Sequence, residues 1–176
     1  MRTTWLPVLR MIWTRTSKTT GGASADRQTV EPAIIRAKAL ELLARREHAR
    51  LELRQKLVQR GFPAGCIDPV LDQLAEEHLL DESRYAELYA CSRAGKGYGP
   101  LRIARELRER GVSQELVDQT LSKLEDDWLL KLRELHRKRF KSLIPAHATE
   151  RMQQIRVLRQ HGFTLEQIKH LFDLTT

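Results

Sequence analysis

Cysteine is nearly missing from this chain: Cys66 and Cys91 are the only two, and they stand at no metal-binding or redox spacing. That excludes a disulfide framework and a CxxC oxidoreductase, and it makes a reducing compartment, the cytoplasm, the expected location. The six histidines never fall into HExxH or another zinc pattern, so no metal site is expected. No run of about eighteen apolar residues is present to cross a membrane. Alternating, β-rich stretches are lacking as well, and after Pro32 the chain reads as helix almost without pause. Nor is there a catalytic constellation. Carboxylates sit beside arginines at i+4, as in Arg102–Glu106 and Arg105–Glu109, where such pairs support a helix. Ser83 and Ser113 stand at helix starts, not at nucleophile positions. Neither an enzyme nor a cofactor is expected.

Acidic residues are the other shortage. Against 31 Lys and Arg there are 23 Asp and Glu, giving a formal net charge of +8 and a pI near 9.9. Such a balance suits a polyanion or an acidic protein surface as partner. The 31% charged content and the mean hydropathy of −0.49 suit a soluble chain, and 41% apolar residues suffice to fill a core. The first thirty residues carry Arg2, Arg10, Arg15, Lys18 and Arg27 against Asp26 alone. Their apolar run is interrupted by Pro7 and Arg10, which makes a poor secretory core. The Arg- and Thr-rich composition has the cast of an organellar transit peptide, but "TTGGASAD" reads more simply as part of a disordered basic tail, residues 1–30.

What is present is a repeat. Aligned on Gly61, Gly111 and Gly162, three segments agree at four apolar offsets. Leucine stands four residues before each glycine (Leu57, Leu107, Leu158) and an apolar residue directly after it (Phe62, Val112, Phe163). Six residues after come Ile67, Val117 and Ile168, and ten after come Leu71, Leu121 and Phe172. Each copy reads as a helix, a glycine in a left-handed C′ turn, and a second helix. Ser113 and Asp81 are natural N-caps, and Thr164 with Gln167 makes a capping box. A further helix precedes each pair, at about 32–46, 81–94 and 126–142. The chain is therefore expected to be all-α, an elongated tandem array of three three-helix repeats: 31–79, 80–125 and 126–176.

"KGYGP", residues 96–100, has the look of a phosphate-cradling loop, with Gly95, Gly97 and Gly99 around Lys96. It follows a helix instead of a strand and lacks Gly-Lys-Ser/Thr, so neither a Rossmann loop nor a P-loop has its required context. Pro100 fits the first position of a helix, and the stretch reads as the link between the first two helices of repeat two. Lys96 and Tyr98 are left as exposed candidates for touching a partner, whereas Tyr85 and Trp128 fit core positions.

Charge is unevenly distributed along this array. Residues 68–87 are acidic, 93–110 basic, and 131–141 more basic still. The quoted segments "RREHARLELRQKLVQRGF", "HLLDESRYAELYACSRAGKGYGPLRIARELRERGV" and "VLRQHGFTLEQIKHLF" resemble the bacterial regulatory RecX family, over about residues 36–174. One departure is Ala49, where such proteins usually carry a capping Ser or Thr. The resemblance implies a monomeric, non-enzymatic modulator of RecA, lying in the groove of the RecA–single-stranded DNA filament and mainly inhibiting its recombinase, ATPase and coprotease activities. Candidate contacts for RecA or DNA are Arg93, Lys96, Tyr98, Arg102, Arg105 and Arg108, then Arg133, Arg137, Lys138, Arg139 and Lys141. The alternative is a basic helical protein acting on DNA directly. Against it, residues 113–124, which would read bases in a helix–turn–helix, carry only Lys123.

Overall fold

The computed structural model describes residues 31–141, 143, 145 and 147–173; the expected tail at 1–30 lies outside them. Among the described residues the chain forms nine α-helices and no strand. They are α1 (Pro32–Leu43), α2 (Arg50–Val58), α3 (Ala64–Glu76), α4 (Glu82–Gly95), α5 (Pro100–Glu109), α6 (Gln114–Ser122), α7 (Trp128–Phe140), α8 (Ala148–Gln160) and α9 (Leu165–Asp173). They group as three triplets, each with its first two members packed on or beside its third: α1 and α2 on α3, α4 and α5 on α6, α7 and α8 on α9.

Local chemistry sets most boundaries. Asp81 accepts from the Arg84 N–H at 3.0 Å and Ser113 from the Leu116 N–H at 3.3 Å, each capping its helix. Thr164 and Gln167 cap reciprocally, at 3.0 and 3.1 Å. Gly61, Gly111 and Gly162 take φ of +86°, +86° and +95°, the left-handed turn the repeat requires. Two predicted helices are longer than those observed. The first ends at Leu43, after which Arg46 turns to pair with Glu52. The third is trimmed at both ends, by a 3-10 turn at Glu125–Asp127 and by Lys141, left-handed at φ 54°.

The aligned apolar positions fill the core. Leu57, Leu107 and Leu158 are fully buried, as are Ile67 and Val117, with Ile168 nearly so. The core is nevertheless two clusters. Ile35, Ala39, Leu53, Leu57, Ile67 and Leu71 belong to the first triplet's own core. The second and third triplets share one continuous core, in which Ile103, Leu107, Trp128, Leu132, Leu158 and Phe163 meet, and α7 packs against α4. From the first triplet only Ala49 enters that second cluster.

The triplets meet by one recurring contact. The start of the second helix of one triplet lies on the glycine turn of the next. A Cβ on Gly111 would stand 2.9 Å from Leu51 Cβ, and a Cβ on Gly162 would stand 2.6 Å from the Arg102 backbone nitrogen. Gly61 has no preceding triplet among the described residues, and a Cβ there would meet nothing within 4 Å.

Candidate functional site

The KGYGP stretch is a structural joint. Gly97 supplies a left-handed residue (φ +81°) just past α4, against Leu135 of α7. Gly99 has an ordinary extended backbone (φ −89°, ψ 172°), so its requirement is space. A Cβ there would lie 2.5 Å from the carbonyl of Gly162. This close approach lets the Gly99 N–H donate to the His161 carbonyl at 2.8 Å and the Leu101 N–H to the Gly162 carbonyl at 3.0 Å. The N-terminus of α5, where a phosphate would sit in a nucleotide loop, is thus capped by the chain's own carbonyls. His161 completes the joint: its Nδ1 lies 3.0 Å from the Gly97 carbonyl, which fixes the proton on that nitrogen, and its ring stacks on Tyr98 at 5.7 Å.

Three of the expected contact residues are drawn into this joint. Tyr98 is half-buried rather than exposed, with the Arg93 guanidinium 3.8 Å and the Arg102 guanidinium 4.3 Å from its ring centre. Both arginines converge on Glu106, Arg93 through Nε at 2.7 Å and Nη2 at 2.5 Å, Arg102 through Nε at 3.1 Å. The Tyr89 hydroxyl donates to the same carboxylate at 2.8 Å. Burial pushes the Glu106 carboxyl up, but hydrogen bonds from Arg93, Tyr89 and Arg102 outweigh it and hold the group at about 2. Burial, then the bond to Glu106, pushes the Tyr89 phenol up to about 12. Arg93 and Arg102, two of the candidate contacts, are thus turned inward by a carboxylate on the inner side of α5.

Of the first basic patch, Lys96, Arg105 and Arg108 are exposed. Arg105 pairs only loosely with Glu109 (3.5 Å), and Arg108 donates to the Gln114 side chain at 3.1 Å. The second patch is different in kind. Arg133, Arg137, Lys138, Arg139 and Lys141 are all exposed, and none pairs with a carboxylate among the described residues. The opposite holds in the first triplet, where Arg36, Lys38, Arg45, Arg46, Arg50 and Arg54 all lie in ion pairs. The sequence explains the contrast: residues 31–79 and 80–125 each hold eight Lys or Arg against eight Asp or Glu, whereas 126–176 hold ten against six.

Sequence reasoning missed two exposed arginines that extend this surface. Arg156 and Arg159 line a groove along α8 with Thr149, Met152 and Gln160. Arg159 also faces Arg105 across a cleft over Gly162, so the exposed part of the first patch runs on toward the third triplet. Their signal was present, since Met152, Arg156 and Arg159 share one helical stripe. Among the described residues no cluster of three His, Cys, Asp or Glu could hold a metal, and no helix is long and apolar enough to cross a membrane.

Fold and surface together define a tandem helical-repeat protein with its first two repeats neutralised and an open basic surface on its last. Two family models match it: RecX, first three-helix domain, over residues 36–74, and RecX, second three-helix domain, over residues 81–121. The regulatory protein RecX of Halorhodospira halophila is 48% identical over 135 residues, covering 77% of this chain and 84% of that protein. That of Pseudomonas entomophila is 46% identical over 140 residues, covering 80% and 90%. The crystal structure of RecX from Lactobacillus salivarius superposes with a TM-score of 0.69 at 20% identity, over 81% of this chain and 97% of that one. A second crystal structure of a regulatory protein RecX gives 0.72 at 20% identity, over 88% and 82%. The chain belongs to the RecX family.

Proposed function

We propose that this chain is a regulator without catalytic activity that binds RecA, in the groove of the RecA–single-stranded DNA filament, and lowers its recombinase, ATPase and coprotease activities. Family membership supports the class of activity. The observation that carries the mode of binding is the basic surface of α7 and its C-cap Lys141, five cations without a carboxylate partner among the described residues. A nucleoprotein filament, with acidic protein lobes around a phosphate core, is complementary to such a face. The exposed residues of the first patch, with Arg156 and Arg159, widen it across the joint.

The same face also suits bare DNA, and this second reading is tested in the same experiment. A helix–turn–helix reading of the duplex is the less favoured form of it, because Lys123 of the would-be reading helix is paired with Glu87. Reversal of Arg137, Lys138 and Arg139 to glutamate, assayed for co-sedimentation with RecA filaments and with single-stranded DNA alone, separates the two. Loss of filament binding and of ATPase inhibition, with bare DNA binding little changed, supports RecA as the partner. Loss of DNA binding alone, with inhibition of RecA intact, refutes the filament assignment of this face.

A further inference from the structure

The two joints of the array use the same contact but differ by one methyl group. Ala49 and Gly99 occupy equivalent places, each the N-cap of its triplet's second helix and twelve residues before the aligned glycine. Their backbones are both extended, at φ −68°, ψ 148° and φ −89°, ψ 172°. At Gly99 the absent side chain admits the next turn's backbone and two hydrogen bonds form across the joint. At Ala49 the methyl occupies that space, fully buried, and neither Ala49 nor Leu51 makes the corresponding bond to residues 110 or 111 among the described residues.

What joins the first triplet to the second is made of side chains. Arg84 of α4 grips Glu47 through Nε at 2.5 Å and Nη2 at 3.3 Å, on the exposed side of the joint. Its guanidinium also reaches the carbonyls of His78 and Leu79, in the link between α3 and α4, at 3.5 Å. Glu82 accepts from the Arg50 N–H at 3.3 Å, taking the place of the cap that Ala49 cannot provide. Leu51 rests on Gly111, and a cleft lined by Arg46, Gln55, Tyr85, Tyr89 and Arg110 opens beside it. The apolar core is interrupted here and continuous across the other joint. The link itself contains His78 in the left-handed region at φ 56°, a backbone state uncommon outside glycine that breaks the helical path between α3 and α4.

We propose that the first triplet is a hinged arm on a rigid body formed by the second and third, turning about residues 77–81 and held by the Arg84–Glu47 latch. The stiffness of each joint is set by the residue at the N-cap of the helix that crosses it, alanine for the soft joint and glycine for the locked one. An exposed bidentate ion pair is screened by salt, the screening length falling from about 8 Å at physiological ionic strength to about 3 Å at 1 M. The arm is therefore freed by salt, while the locked joint, made of backbone bonds and shared core, is not. An arm of this kind would let one sequence fit a curved partner of variable pitch.

Distances between spin labels on the full chain test this directly. With Cys66 replaced by alanine, the exposed native Cys91 serves as the fixed point. One partner label goes on the first triplet through Gln59→Cys, another on the third through Gln153→Cys, both exposed positions. The 59–91 distribution is expected to be at least twofold broader than the 91–153 distribution, and to broaden further in 1 M salt or with Glu47→Gln. The 91–153 distribution is expected to ignore both. Gly99→Ala should broaden the 91–153 distribution, provided circular dichroism shows the helices retained; should it unfold the chain, the Glu47→Gln comparison still decides. Distributions of equal width at the two joints, or a 59–91 width that neither salt nor Glu47→Gln alters, overturn the hinge.

Discussion

Alanine at each of the three aligned glycines should cost three different amounts, although the sequence pattern treats them alike. All three have positive φ, so a side chain brings left-handed strain of about 1–2 kcal/mol. Loss of unfolded-state freedom returns about 0.4–1 kcal/mol of that. At Gly61 nothing more is added, because the new methyl meets no atom within 4 Å, and the net cost should be about 0.5–1 kcal/mol. At Gly111 the methyl meets Leu51 Cβ at 2.9 Å, an atom no rotamer change can move, so the start of α2 must give way slightly and the cost should fall between those of the other two. At Gly162 the obstacle is the Arg102 backbone, its nitrogen at 2.6 Å and its Cα at 3.0 Å, and a main chain cannot swing aside. The joint must part, and the two backbone bonds from Gly99 and Leu101 go with it at about 1 kcal/mol each.

Gly162→Ala should therefore cost about 3 kcal/mol, against under 1 for Gly61→Ala. For a chain of this size 1 kcal/mol moves a melting midpoint by roughly 2–4 °C, so the two should differ by roughly 5–10 °C. Thermal unfolding followed by circular dichroism on the three variants measures the order. Amide hydrogen exchange adds location, since the loss at Gly162 should appear in α5, α8 and α9 and spare α1–α3. Equal costs at Gly61 and Gly162, or a greater cost at Gly61, would refute the claim that each glycine turn is the platform for the preceding triplet.

Four further outcomes rest on the same geometry. Glu106→Gln should lower stability at neutral pH by about 2 kcal/mol, since it weakens charged hydrogen bonds from Arg93 and Arg102, and chemical denaturation would measure it. Because the Glu106 and Glu52 carboxyls are held at about 2, below their ordinary 4.5, their stabilisation is complete above about pH 4.5 and is lost as pH falls toward 2. A melting series over that range should show the loss, and Glu106→Gln should flatten its share of it. Reversal of Lys96, Arg105 and Arg108 to glutamate should leave stability within about 1.5 kcal/mol of wild type, roughly half a kcal/mol per exposed site, whereas Arg102→Glu should cost more than any one of them by facing Glu106 with a like charge. Tyr98→Ala should lower the midpoint without a selective loss of RecA binding, a comparison of melting with co-sedimentation that separates a joint residue from a contact residue.

The elements that could be read in advance are those whose cause lies within about four residues. The caps at Asp81, Ser113 and Thr164 depend on a side chain and an N–H three positions on, and all three form. The buried offsets around the glycines follow from helical periodicity, and Leu57, Leu107 and Leu158 are fully buried. The direction of Arg93 was not legible, because its partner Glu106 lies on another helix thirteen residues away. Nor was the role of Gly99, which needs no unusual dihedral and is required only because Gly162, more than sixty residues on, comes within 2.5 Å of where its Cβ would be. Arg102–Glu106 shows the limit most clearly. Its i, i+4 spacing was read as support for one helix, and the spacing is met at 3.1 Å, but Tyr89 and Arg93 close over it from α4 and convert a local pair into a part-buried node between helices.

Net charge misleads in the same way until each cation is matched to its neighbours. The first two triplets are neutral in sum and largely paired in space, so their arginines contribute little field to a distant partner. The excess resides in residues 1–30 and 126–176, which carry five and ten cations against one and six acids. On the proposed reading, long-range attraction to an anionic partner would therefore originate at the ends of the sequence, while the middle supplies joints. In a chain so arranged, the salt dependence of RecA binding should fall when Arg137, Lys138 and Arg139 are reversed and should be unchanged when Arg36 and Arg54, both held in ion pairs, are replaced by glutamine. A salt slope that responds equally to both sets would mean that paired and unpaired cations act alike, and that the pairing seen within the first triplet does not govern what it presents to a partner.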